Sequence, residues 1–308
     1  MLLITLYANK YKHILMTGKE ISEYTTFPRT FEKYKWYNPI LVFIIGAIIF
    51  LILGIILIAV FYAIYGENIV VQLLHGGYEV MNSEIGEIYS HLGIAIMIPS
   101  LYLATKIVKD RPFSSYSSSR GGWNTQLYLK AFIIPFILFI IVGVIQSAIL
   151  GNAGDYHFTI LFFIILLIVV PLQCIAEEYV FRGLLMQTLG SWFNIPLLAI
   201  ILQAIIFGFT HGYNGIGNIG IIISGLVMGF LAWKANGLEV SSAFHTANNL
   251  SFSLLVMFGI QSSTSTIQMA DLLISTMGSV IFGILLYYIG KRSNWFGEIP
   301  ETPHEDDS

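Results

Sequence analysis

Residues 158–189 read FTILFFIILLIVVPLQCIAEEYVFRGLLMQTL, an apolar run that contains two adjacent glutamates and one arginine. A helix of about 20 apolar residues crosses the hydrocarbon core of a membrane. A carboxylate inside such a helix is costly unless it faces water or a partner, so Glu177 and Glu178 indicate a functional site. Glu178 and Arg182 are four residues apart and can pair on one helix face. One arginine cannot satisfy both carboxylates in a dry bundle, so Glu177 is left for another role.

The composition extends this interpretation to the whole chain. Of the 308 residues, 56% are hydrophobic and only 11% are charged, whereas about a quarter of the residues of a soluble domain are charged. The sequence therefore predicts an all-α polytopic membrane protein, a bundle of about eight transmembrane helices. We expect the spans near residues 39–65, 87–108, 128–150, 158–189, 194–211, 219–233, 240–260 and 269–289. The fifth and sixth of these runs are the shortest.

The distribution of lysine and arginine predicts the orientation of the bundle. Cytoplasmic connections of membrane proteins collect these residues, and the connections near 66–86, 151–157, 212–218 and 261–268 contain none. The pattern fits an even number of spans with both termini in the cytoplasm.

Three segments are expected along the chain. Residues 1–38 form a cytoplasmic or interfacial leader. The transmembrane domain covers 39–292, with its motifs inside a core at 158–260. Residues 293–308 form a short acidic tail in the cytoplasm.

Two classes of function are excluded or disfavoured by single features of the sequence. The formal net charge is -3, and no basic face is available to neutralise a nucleic-acid backbone, so we expect no nucleic-acid partner. Cys174 is the one cysteine, and a lone cysteine in an apolar helix is typical of a small packing residue, not of a nucleophile.

Two later runs place imidazole and amide side chains inside apolar helices. The fifth run ends in FGFTHG (207–212), with Phe207 and His211 on one face. The seventh run opens with VSSAFHTANNL (240–250), with His245 and Asn249 on one face. The rise of about 1.5 Å per residue gives these side chains and Glu177 overlapping depths once helix tilt is allowed. A carboxylate, two imidazoles and an amide can therefore converge in one cavity.

The three motifs, in this order on three of the apolar helices, resemble those of the CPBP family. That family comprises the type II CAAX prenyl proteases and the bacteriocin-processing or abortive-infection-like proteins of bacteria. The resemblance implies an eight-helix intramembrane endopeptidase. It makes Glu177 the general base that activates water. His211 would hold that water or bind a metal, and His245 with Asn249 would stabilise the oxyanion. Glu178 and Arg182 would be structural, and Phe207 would pack.

The involvement of a metal stays open at this point. Glu177, His211 and His245 would make a hydrolytic zinc site with water in the fourth position. The sequence lacks an H-E-x-x-H helix, and the resemblance also admits a metal-free glutamate mechanism, which we favour. No cofactor is assigned.

The resulting hypothesis is an endopeptidase in the cytoplasmic membrane of a bacterium. Its substrate would be a peptide or a membrane-associated protein within or beside the lipid bilayer, reached from the cytoplasmic side. One alternative is a non-proteolytic membrane scaffold or bacteriocin self-immunity protein of the same fold. Another is a proton-coupled transporter, which is disfavoured because the acidic residues are confined to one motif and no inverted repeat is found. The oligomeric state is not predicted.

Overall fold

The computed structural model of the protein describes residues 23–77, 80, 83–211, 215–262 and 269–296. The predicted all-α membrane bundle is confirmed. We number the helices in chain order: α1 Asn38–Tyr65, α2 Glu67–Leu74, α3 Glu84–Ala95, α4 Met97–Val108, α5 Thr125–Leu150, α6 Ile160–Glu178, α7 Gln187–Phe193, α8 Pro196–Phe209, α9 Gly215–Lys234, α10 Glu239–Met257 and α11 Met269–Arg292.

Six helical stretches among the described residues are long and apolar enough to cross a membrane. They are Asn38–Tyr65, Glu84–Val108, Thr125–Leu150, Ile160–Phe193, Gly215–Lys234 and Met269–Arg292. The predicted sixth span, residues 219–233, corresponds to α9, which is longer at 20 residues. The predicted fifth span corresponds to α8, which has only 14 residues. The seventh, α10, has 19 residues but carries polar side chains along much of its length. The predicted number of eight spans is therefore approximate. Helix α8 is too short to count as a span by length, and α10 is too polar to count as one by composition.

A π-helical stretch interrupts the longest span next to the two glutamates. The chain continues from α6 through Tyr179–Met186 in the wider π geometry and then enters α7. The α-helical spacing of the sequence did not predict this change. Such stretches are uncommon and occur frequently at functional sites.

The helices α5, α6 and α10 form the centre of the bundle. Helix α10 packs mainly on α5 and α6, whereas α9 lies against α8 and α11. Helix α1 is peripheral and packs on α4, and large apolar side chains such as Leu51 and Ile55 are exposed on it. An apolar exterior of this kind suits lipid, so the chain is an integral membrane protein.

The described part of the predicted leader is docked against the bundle. The Tyr24 side chain is fully buried, and its hydroxyl donates a hydrogen bond to the carbonyl of Tyr116 at 2.6 Å. Residues 1–22 and 297–308, which include most of the predicted acidic tail, lie outside the described residues. The three predicted segment boundaries stay predictions.

The docking of this segment depends on Gly190. A Cβ atom at this helical position would lie 2.4 Å from the carbonyl oxygen of Thr25, which belongs to the backbone and cannot rotate away. We expect Gly190→Ala to lower the free energy of unfolding by about 1–3 kcal/mol through overpacking. Thermal unfolding of the detergent-solubilised protein measures this loss.

Gly54→Ala is the matched control, because a Cβ atom there meets nothing within 4 Å. Alanine is the better helix former, so this variant should unfold at or above the wild-type temperature. Equal melting temperatures for the two variants would contradict the docking contact.

Candidate active site

A network of charged side chains is built around the Glu178 carboxylate. Glu178 and Arg182 are fully buried, and Arg182 Nη1 donates to Glu178 Oε1 at 2.9 Å. His245 Nδ1 lies 3.0 Å from the same oxygen. Since a carboxylate oxygen paired with arginine accepts hydrogen bonds, Nδ1 is the donating atom of His245. The carboxylate therefore joins α6 to α10 and directs His245 Nε2 away from itself.

Glu177, the adjacent carboxylate, has a different environment. Its Oε2 atom lies 3.5 Å from His245 Nε2. This oxygen is buried and accepts no hydrogen bond from any residue that the structure describes. The side chain of Glu177 is 9% exposed, compared with 0% for Glu178. Glu178 Oε2 also lacks a hydrogen-bond partner among the described residues, so the two carboxylates differ in that Glu178 is paired with Arg182, whereas Glu177 forms no ion pair with a described arginine.

Asn249 lies beside the second nitrogen of His245. Asn249 Nδ2 is 3.3 Å from His245 Nε2 and 3.4 Å from Gln173 Oε1. Asn248, which is exposed, donates to Asn249 Oδ1 at 3.0 Å. With Oδ1 accepting that bond, the amide is oriented so that its NH₂ group points towards His245 and Gln173.

Phe207 connects the arginine to the two histidines. The Arg182 guanidinium lies over the Phe207 ring at 4.4 Å from the centroid, a cation–π contact. The same ring meets His211 and His245 edge to face, at centroid distances of 4.6 and 6.1 Å. His211 Nδ1 donates to the Phe207 carbonyl at 2.8 Å. The structure thus brings Glu177, His245 and Asn249 into contact, and His211 reaches them through the Phe207 ring.

A cavity of about 460 Å³ adjoins these residues. His211, His245, Asn249 and Phe207 line it, whereas Glu177 is not among the described residues of its wall. Glu177 Oε2 instead approaches the cavity-lining residue His245, 3.5 Å from its Nε2 atom. The volume is within the range of a site that takes a small ligand or a short peptide segment.

The zinc alternative does not fit this arrangement. A catalytic zinc ion takes three protein ligands and leaves one position for water. Among the described residues, no group of three His, Cys, Asp or Glu side chains is arranged to hold a metal ion. In the predicted set of Glu177, His211 and His245, the first and last approach each other, while His211 is separated from them by the Phe207 ring.

The sequence did not predict three features of the site. Glu178 was expected only to pair with Arg182, but it also binds His245 from another helix. Gln173 was given no role, although four-residue spacing places it on the same face of α6 as Glu177. His91, which the sequence analysis did not place in the site, lines the cavity.

Comparison with known proteins identifies the segment that carries the site. Residues 157–251 match the sequence model of the Rce1-like family, described as type II CAAX prenyl endopeptidase Rce1-like. The resemblance indicated by the three motifs is confirmed by this match. An uncharacterised protein of Bacillus subtilis (strain 168), YyaK, is 30% identical over 191 residues, which cover 58% of this chain and 64% of the relative. The chain thus spans less than two thirds of that relative's length. No solved structure matches the chain.

The neighbouring glutamates should differ sharply in their contribution to stability. Glu178→Gln removes the charge that compensates the buried Arg182, and we expect a loss of about 3 kcal/mol or more in the free energy of unfolding. Glu177→Gln is the isosteric control one residue away, and its loss should be much smaller because Glu177 has no arginine partner. Thermal unfolding in detergent distinguishes them, and a larger loss for Glu177→Gln would contradict the assignment.

Proposed function

Starting from the similarity of residues 157–251 to the Rce1-like endopeptidases, we propose that this protein hydrolyses a peptide bond inside the membrane. The observation that carries the proposal is the contrast between the two buried glutamates. Oε2 of both glutamates accepts no hydrogen bond from the described residues, but Glu178 is also paired with Arg182 and His245 through Oε1. Glu177 forms no ion pair with an arginine among the described residues and lies 3.5 Å from His245 Nε2. A general base needs a lone pair that no structural cation holds.

Glu177 is assigned the role of general base. It takes a proton from a water molecule, and the resulting hydroxide attacks the carbonyl carbon of the scissile peptide bond. The tetrahedral intermediate then collapses, the C–N bond breaks, and the proton held by Glu177 passes to the leaving amine. The products are one new carboxylate and one new amine, and Glu177 returns to its ionised form.

His245 and Asn249 are assigned to the oxyanion of the tetrahedral intermediate. The Asn249 NH₂ group is a donor at any pH, whereas His245 Nε2 donates only when the ring is protonated, because Nδ1 already donates to Glu178. Donors fixed before the reaction each contribute a few kcal/mol to the stability of the transition state. Glu178 and Arg182 act as positioning residues, since they orient His245 and touch no reacting atom.

His211 is assigned to the wall that holds the substrate and the attacking water. Its ring lines the cavity, and Phe207 packs between it and the network. The substrate is proposed to be a peptide or a membrane-associated protein, in the cytoplasmic membrane of a bacterium.

The proposal is tested by comparing peptides released from the native cell, by quantitative mass spectrometry, for wild type and variants at matched membrane levels. Glu177→Gln, Glu177→Ala and His245→Ala should each abolish specific cleavages, with rates lowered by about 100-fold or more. Cys174→Ser is the control for a nearby buried change, since Cys174 lies one turn before Glu177 and contacts Gln173. This control should retain the wild-type cleavages.

An unchanged peptide profile in all variants would contradict the proposal. If the cellular phenotype also persisted in them, the protein would act as a membrane scaffold or self-immunity protein. Equal loss in Cys174→Ser would point to misfolding of α6 and would contradict a specific role for Glu177.

A further inference from the structure

The cavity beside the site opens at one end of the bundle. Its wall contains residues at the start of α3 and α11 and at the end of α5, and it includes residues of the connections that precede α6 and α11. These residues are Glu87, Asp271, Gln146, Asn152, Gln261 and Ser262. All of these positions lie at the same end, since consecutive spans run in opposite directions.

The other end of the cavity is closed within the bundle. Its deepest wall is formed by Phe139, Met228, Phe244 and Ser279. Ser279 is ten residues into α11, which corresponds to a depth of about 15 Å. Beyond these side chains the apolar core continues with buried residues such as Leu231 and Val240. A substrate therefore reaches His245 from the open end.

The lysines and arginines lie at the opposite end. Apart from Arg182 in the site, those of the described residues fall at or near the other helix ends or in the segments attached there: Arg29, Lys33, Lys35, Lys106, Lys109, Arg111, Arg120, Lys130, Lys234, Lys291 and Arg292. The connections at the open end contain no Lys or Arg. Because cytoplasmic connections collect these residues, the open end faces away from the cytoplasm.

We infer that the cavity admits its substrate from the extracytoplasmic side of the membrane, and that its mouth selects polypeptide segments with basic side chains. The side of access differs from the cytoplasmic side expected from the sequence, because the sequence could not show at which end the cavity opens. The substrate class rests on the proposed function, whereas the side of access rests only on the cavity and the basic residues.

The preference for basic segments follows from the charges at the mouth. Glu87 and Asp271 line it, and of the described residues in the wall none is Lys or Arg. Nearby at the same end lie Glu67, Glu84 and Asp155. A cleft lined by charges of one sign with low-dielectric walls concentrates ligands of the opposite sign. An exported or envelope-anchored basic polypeptide fits this mouth, whereas an acidic one is repelled.

The side of access and the preference for basic segments are both tested by the labelling of engineered cysteines. Two membrane-impermeant methanethiosulfonates are used, one bearing a trimethylammonium group and one a sulfonate. In a Cys174→Ser background, Ser275→Cys reports on the mouth, since Ser275 is exposed and lines the cavity. Asn152→Cys is a second mouth position, which keeps the test valid if one variant fails to fold. Gln72→Cys on α2 is the control at the same end outside the cavity, and Gln126→Cys on α5 marks the basic end.

In intact cells we expect both mouth positions and Gln72→Cys to react, whereas Gln126→Cys reacts only after permeabilisation. The ratio of cation to anion reaction rates at Ser275→Cys should exceed that at Gln72→Cys by about fivefold or more at low salt. Added salt should reduce the difference, and so should Glu87→Gln or Asp271→Asn.

Reaction of the mouth positions only after permeabilisation, or of Gln126→Cys in intact cells, would overturn the side of access. Equal rate ratios at Ser275→Cys and Gln72→Cys would overturn the preference for basic segments. Neither readout needs catalysis or a known substrate. A negative labelling result therefore does not affect the test of the proposed protease function with the Glu177 variants. A negative result with those variants does not affect the labelling result.

Discussion

The buried carboxylate of Glu178 is the point on which the rest of the site depends. It receives Arg182 from its own helix and His245 from α10, and Arg182 Nη2 also donates to the carbonyl of Gly225 on α9 at 3.3 Å. A charge taken out of water is stable only when it is paired and hydrogen-bonded, so α6, α9 and α10 must meet in one register. That register fixes the His245 ring, whose Nε2 then faces Glu177 and Asn249. Glu178 thereby sets the geometry around Glu177, the proposed general base.

Two further features define this region: the π-helical stretch beside the glutamates and the apolar side chains that end the cavity. The π-helical stretch begins at Tyr179, directly after the two glutamates, and it contains Arg182. The cavity ends at the level of Phe244, one residue before His245. Polar chemistry is therefore confined to a thin layer, with water-accessible space on one side and packed apolar side chains on the other. A layer of this kind can hold water without opening a path through the membrane.

Much of the fold and of the site could be predicted because two sequence features are local: the length of the apolar runs and the carboxylates inside them. Carboxylates in an apolar run are energetically unfavourable, so Glu177 and Glu178 indicated from the sequence which helix carries the candidate site. The length of the apolar runs predicted most of the spans. It also predicted a span at α8, which is only 14 residues long, and one at α10, which is polar along much of its length. The bond between Glu178 and His245 could not be predicted, since it joins residues 67 positions apart. Helical spacing offered only the partner four residues away, and it gave no indication of which end of the bundle the cavity opens to.

Glu177 is proposed to act on water and not to attack the peptide bond itself. A single turnover of purified protein in proteoliposomes, in water enriched in ¹⁸O, tests it on a peptide identified as cleaved in the native membrane. Mass spectrometry of the first product then reports the origin of the new carboxylate oxygen. Direct attack by water predicts one ¹⁸O atom in that carboxylate in the first turnover. A first product that contains only ¹⁶O would show that the oxygen came from the Glu177 carboxylate through an anhydride, and it would contradict the account.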